Sequence, residues 1–151
     1  MRKYLIISLL FLSVGFCQKE YDINQIVERD GVYIKKFSDE IVNGKVFQMF
    51  GDIKVDIGYI KNGEKERLWT WWYDNGNKKS EGNYKDGKEN GLHKWWYENG
   101  HKSEERTYKN GIKEGLWTKW YDNGQKGIEY NYKYGKLISS KRWNEDGSMK
   151  E

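Results

Sequence analysis

Three stretches of this chain superimpose on one another at a fixed spacing of 24 residues, and that periodicity limits the fold more than any other feature. Residues 63–86, 87–110 and 111–134 form the units. The positions occupied identically in all three are the opening glycine (Gly63, Gly87, Gly111), Leu68/Leu92/Leu116, Trp72/Trp96/Trp120, Tyr73/Tyr97/Tyr121, Asn75/Asn99/Asn123, Gly76/Gly100/Gly124, Lys78/Lys102/Lys126, Glu81/Glu105/Glu129, Tyr84/Tyr108/Tyr132 and Lys85/Lys109/Lys133. A repeat this short is one supersecondary unit that cannot bury a face alone and is stabilised by stacking on its neighbours.

The unit predicts a β-hairpin. Asn75-Gly76, Asn99-Gly100 and Asn123-Gly124 each sit between runs of alternating apolar residues, a strong short-range hairpin signal. A second turn closes each unit at Asp86-Gly87, Asn110-Gly111 and Tyr134-Gly135. Two turns in 24 residues leave room for two strands of ordinary length and for no helix. Along the first strand Leu68, Thr70 and Trp72 share one face, and Trp69, Trp71 and Tyr73 the other. A two-residue loop sets Trp69 opposite Gly82; a three-residue loop shifts the pairing and sets Trp72 with Tyr84. Both registers stay open at this level. Equivalent residues of adjacent units lie two strands apart, roughly 9.6 Å, a gap that large rings bridge and small side chains do not.

Composition agrees. Aromatic content is 17% while the mean hydropathy is −1.04, a pairing that excludes a thick aliphatic core and also ordinary disorder. There is no Pro and no Ala, and the missing Ala argues against helices. The expected fold is all-β: an elongated, single-layer, twisted antiparallel meander of tandem 24-residue hairpins.

The flanks differ from the repeats. Met1-Arg2-Lys3 and the apolar run Tyr4–Phe16 have the layout of a secretory signal over 1–17, too short to span a bilayer. Cleavage after Gly15 or after Cys17 both fit, and Cys17 is an alternative site for a lipid anchor. The expected location is therefore outside the cytoplasm: periplasm, cell surface or medium. Residues 18–57 read as a divergent β-rich cap, with turn signals at Asp30-Gly31 and Asn43-Gly44, and residues 58–151 as the array, ending in a partial unit over 135–151. Every Trp falls between 69 and 143, whereas Phe occurs only upstream of the repeats. Once Arg2 and Lys3 leave with the leader, 25 basic residues face 23 acidic ones, a net +2 that gives no basic patch and no expectation of nucleic-acid binding.

The segments GLWTKWYDNG and SEGNYKDG, with the upstream stretch ERDGVYIKKFSDEIVNGKVF leading into GYIKNGEKERLW, resemble the bacterial variant of the MORN repeat (membrane occupation and recognition nexus). The likeness covers about residues 27–150 and extends to proteins grouped as toxin–antitoxin system antitoxins of the YwqK family. It implies a single-layer sheet of successive hairpins used for protein or membrane-lipid contact. His93 departs from the pattern where Trp69 and Trp117 stand, and Arg67 where Gly91 and Gly115 stand. Export also conflicts with neutralising a cytoplasmic toxin.

No catalytic constellation, cofactor site or metal site is expected. The only histidines are His93 and His101, a Zn²⁺ site needs three or four ligands, and no nucleophile elbow or phosphate loop is present. The fixed columns carrying Leu68, Trp72, Tyr73, Gly76 and Tyr84, Leu92, Trp96, Tyr97, Gly100 and Tyr108, and Leu116, Trp120, Tyr121, Gly124 and Tyr132 are expected to be structural. The variable aromatic columns are expected to face outward, which makes Trp69, Trp71, His93, Trp95 and Trp117 the candidate contact surface. Its expected role is a non-enzymatic interaction scaffold for a protein partner at the cell envelope. Lipid head groups or cell-wall glycans are the alternative ligands, and an antitoxin the alternative function.

Overall fold

The fold is set by two kinds of turn that alternate along the chain. A computed structural model describes residues 18–150; the expected signal segment and Cys17 lie outside the described residues. The first kind of turn is a two-residue loop with both residues at positive φ: Asn62-Gly63 (51°, 81°), Asp86-Gly87 (48°, 72°), Asn110-Gly111 (51°, 79°) and Tyr134-Gly135 (50°, 78°). This is the type I′ turn, whose twist matches that of the strands it joins. The second kind spans three residues. In the first unit the Gly76 N–H donates to Tyr73 O (3.0 Å) and the Tyr73 N–H to Asn77 O (2.9 Å), with Gly76 at φ 84°. The same bonds recur at 97–101 and 121–125, and again at 144–148, where the partial unit closes a fourth loop of this kind.

Between the turns run thirteen strands: β1 (Glu20–Asp22), β2 (Ile26–Arg29), β3 (Val32–Lys35), β4 (Gly44–Phe50), β5 (Ile53–Lys61), β6 (Glu64–Trp72), β7 (Lys78–Lys85), β8 (Lys88–Trp96), β9 (Lys102–Lys109), β10 (Ile112–Lys113), β11 (Gly115–Trp120), β12 (Lys126–Lys133) and β13 (Lys136–Arg142). All but β2 and β3 join one sheet in the order β1-β4-β5-β6-β7-β8-β9-β11-β12-β13, with β10 beside β9. Pairing is antiparallel throughout except for β1, which runs parallel to β4. From β6 onward each strand pairs with its sequence neighbours, so the repeats form the single-layer meander that their spacing predicts.

The register resolves the two alternatives in an unforeseen way. The loop has three residues, yet Trp69 still pairs with Gly82, because a bulge at Lys79 restores the two-residue register; Trp72 pairs with Lys78 and not with Tyr84. The extra residue lies on β7, so alternation along β6 is undisturbed and Trp72 keeps the face of Leu68 and Thr70.

The cap is built differently. β4 and β5 belong to the long sheet, and β5 crosses the expected boundary at 57/58, so cap and array share a strand. The β2–β3 hairpin forms a separate sheet that is bonded to the first repeat turn. Tyr33 N–H donates to Gly63 O (2.7 Å) and Gly63 N–H to Val42 O (2.9 Å). Under it lies the one aliphatic core among the described residues: Ile26, Val42, Val46, Ile57 and Ile60, closed by Tyr21 and by Trp69 of the first repeat.

Candidate binding surface

One face of the array carries an unbroken ladder of rings. Tyr84–His93, His93–Tyr108, Tyr108–Trp117 and Trp117–Tyr132 centroids are 5.2, 5.3, 4.9 and 5.1 Å apart. The rings of the 69/93/117 column lean back over the preceding strand and spend their N–H on its backbone. Trp69 Nε1 donates to Tyr59 O (3.2 Å), His93 Nε2 to Asn83 O (2.8 Å) and Trp117 Nε1 to Thr107 O (2.8 Å). His93 therefore replaces an indole with a ring of the same donor function, since a carbonyl can only accept.

This column corrects the sequence expectation. Trp69 (1% exposed), His93 (2%) and Trp117 (8%) are buried, so variability there does not mark an outward face. Their burial needs small residues beneath them. A Cβ on Gly58 would overlap the Trp69 indole, and one on Gly82 the His93 imidazole. Trp69 thus covers Gly58 and not its register partner Gly82. In the third unit the space is taken by Arg106, whose guanidinium carbon lies 5.3 Å from the Trp117 centroid and 4.5 Å from that of Trp95.

A charged residue four positions before each buried ring matches it in kind. Lys65 Nζ lies 5.0 Å from the Trp69 centroid and 5.1 Å from that of Tyr84; Lys113 Nζ lies 4.7 and 4.9 Å from Trp117 and Tyr132. Where the ring is His93, the residue is Glu89, with Oε1 3.6 Å from Nδ1. Cations over indoles and a carboxylate beside the imidazole are each attractive arrangements. Burial pushes the Lys65 ammonium below its ordinary value, resisted by Glu28 and Glu89, and pushes the Tyr84 and Tyr108 hydroxyls above theirs. The ladder is filled by the chain's own groups and is principally a packing device.

What remains open on this face is the next column. Trp71 and Trp95 are half-buried, and Ser80 lies between them in register with each. The column ends at Lys119, so the exposed indole pair belongs to the cap side of the array. Of the five expected contact residues, the structure leaves these two in reach of a partner and withdraws Trp69, His93 and Trp117.

The opposite face holds the rows expected to be structural. Tyr73, Tyr97 and Tyr121 hydroxyls donate to the carbonyls of Trp96, Trp120 and Trp143 (2.8, 2.7 and 3.0 Å), bolting each turn to the next unit. Asn75, Asn99 and Asn123 add a side-chain bond each to the carbonyls of Glu98, Asp122 and Glu145. These staples escaped the sequence reading, although the fixed Tyr and Asn columns were their signal. The Asn has a second task that replaces the expected positive φ: Asn75 Oδ1 accepts the Asn77 N–H (2.9 Å), which fixes the loop. Burial alone would raise the Glu81 carboxyl, but bonds from Lys78 and Lys94 outweigh it and hold it below its usual range. Leu68, Leu92 and Leu116 depart from expectation, being 49, 42 and 50% exposed.

The two histidines do not converge. His93 is in the ladder, whereas His101 Nδ1 donates to Asp122 O at the turn edge (2.5 Å). Among the described residues no group of three His, Cys, Asp or Glu side chains could hold a metal ion, and no helix is long and apolar enough to cross a membrane.

Successive hairpins stapled turn to turn over a ring ladder define a linear β-hairpin repeat protein. Within that class, residues 68–86, 89–110 and 113–134 match the family model described as the MORN repeat variant. Comparison with curated proteins and with solved structures finds no match.

Proposed function

We propose that this chain is a non-enzymatic binding scaffold, exported to the cell envelope, that docks a partner protein against Trp71 and Trp95. The observation that carries the reading is the pair itself. In a ring-rich sheet whose other aromatic residues are largely spent on internal packing, these two half-open indoles flank a small residue, and Trp is a preferred anchor at protein interfaces. The matched repeats support a protein that binds other molecules. The leader at 1–17 supports export, and export disfavours an antitoxin acting on a cytoplasmic toxin.

The test is capture of cross-linked partners from envelope extract by wild type and by a Trp71→Ala/Trp95→Ala variant with unchanged circular dichroism. A partner lost in the variant and retained by Leu92→Ala supports the reading; equal capture by all three removes it. Flotation with anionic liposomes and fluorescence titration with cell-wall fragments test the lipid and glycan alternatives. The intact mass of the protein from its native host reports the processing of the leader and any lipid on Cys17.

A further inference from the structure

The indole row on the stapled face is completed at every step except the first. Each hairpin covers the next unit's Trp with a lysine: Lys78 Nζ lies 5.4 Å from the Trp96 centroid, Lys102 5.1 Å from Trp120 and Lys126 5.7 Å from Trp143. The Tyr and Asn bonds of the same turn then close the gap between hairpins. Trp72 follows the β4–β5 hairpin instead. Its loop, Gly51-Asp52 between the paired Phe50 and Ile53, contains neither Tyr nor Asn. Lys54, 24 residues before Lys78, is drawn elsewhere: its ammonium pairs with Glu20 and sits 4.4 Å over the Phe47 ring. The staple and the covering cation are both missing at this one junction.

An open-mouthed cavity of about 770 Å³ occupies the place, with Met49, Phe50, Ile53, Val55, Trp72 and Asp74 in its lining. That volume is in the range of small-molecule sites. The Trp72 indole N–H is covered and has no partner, a second sign that packing here is incomplete. What Trp72 offers the cavity is therefore its ring. The exposed Asp74 carboxylate stands at the rim.

We propose that this cavity binds a small organic cation with an apolar body. The cationic group takes the position over Trp72 that the preceding hairpin's lysine takes over Trp96, Trp120 and Trp143. Asp74 supplies the counter-charge, and the apolar body lies on Met49, Phe50, Ile53 and Val55. The chain's own repeat supplies the reason for a cation, because an ammonium is what the same ring receives in every later unit. A ring face and a carboxylate together favour a weakly hydrated alkylammonium over a neutral molecule of equal size. The site is separate from the Trp71 and Trp95 surface and does not rest on the reading given for it.

Fluorescence titration of the described chain, 18–150, with hexyltrimethylammonium, using hexanol as the neutral counterpart, tests the assignment. Saturable quenching is expected with the cation, and at least about fivefold weaker binding with hexanol, the ratio that cation–π attraction alone supplies. Asp74→Asn weakens cation binding, whereas Asp122→Asn, at the equivalent turn where Lys102 already covers Trp120, leaves it unchanged. Ile53→Trp, at an exposed position, fills the cavity and abolishes binding with the melting temperature preserved. Hexanol binding as tightly as the cation overturns the proposal, as does an equal loss in the two Asp variants or the absence of saturation by the wild type.

Discussion

The cap and the array belong to one sheet, yet they are stabilised by different means. In the cap a second layer covers the sheet, and Val42, Val46, Ile57 and Ile60 are 0 to 1% exposed. In the array nothing covers either face, and its leucines are half exposed while rings, cations and turn-to-turn hydrogen bonds take over. An aliphatic core works through area removed from water, which needs two layers. A single layer has no such interior, so it relies on side chains long enough to reach the next hairpin and on polar groups that bond across it. Trp69 is where the two meet, since it closes the aliphatic core and begins the ring column.

The sharpest break between the regions is expected from truncation. Ile60→Ala should cost about 2–5 kcal/mol, as for fully buried aliphatics elsewhere, and Leu92→Ala about 1 kcal/mol or less, both read from denaturant midpoints. Equal costs would mean that the leucine row is buried in solution. Gly82→Ala should follow at about 1–3 kcal/mol, because the added methyl meets the His93 ring, while Gly100→Ala, with open space at its Cβ, should show backbone strain alone. Alkaline pH should strain the array: Tyr84 and Tyr108 are held protonated above their ordinary value of 10.0, so stability present below about pH 10 is lost as pH rises through the folded values. Lys65, held below 10.5, opposes that loss, and melting temperatures between pH 8 and 11 measure the balance.

Two smaller effects refine the comparison. Tyr97→Phe removes one staple and should cost about 1 kcal/mol. Hydrogen exchange should locate the loosening at β8–β11 and leave β4–β5 protected, because a linear array transmits stability only to its neighbours. Arg67→Gly should be stabilising by about 0.5–1 kcal/mol. Arg67 holds φ 65° where Gly91 and Gly115 stand in the other units, and relief of that strain exceeds the lost stacking on Tyr59, 4.7 Å away. No gain in the melting temperature would show that the stacking is worth as much as the strain.

Much of the array was legible because local chemistry decides it. Turns at Asn-Gly and Asp-Gly, strand lengths and the separation of Trp72 from Trp71 onto opposite faces follow from positive φ and alternation. The candidate surface was legible only in part. Variation at 69, 93 and 117 suggested exposure, but the ring there is chosen by the strand behind it, Gly58 for Trp69, Gly82 for His93 and Arg106 for Trp117. Those partners are 11 residues away, on the preceding strand, and the spacing of identical columns does not show them. The covering of the sheet by the β2–β3 hairpin escaped for a similar reason, since no repeat announces it.

From residue order alone one can derive the hairpin unit, its count and its turns, because each depends on groups within a few positions of one another. Which indoles stay open, where the ladder lacks a lysine and how a bulge at Lys79 resets the pairing were settled only by strands meeting in space. Burial is a property of a neighbourhood, and in a sheet half of every neighbourhood comes from another strand.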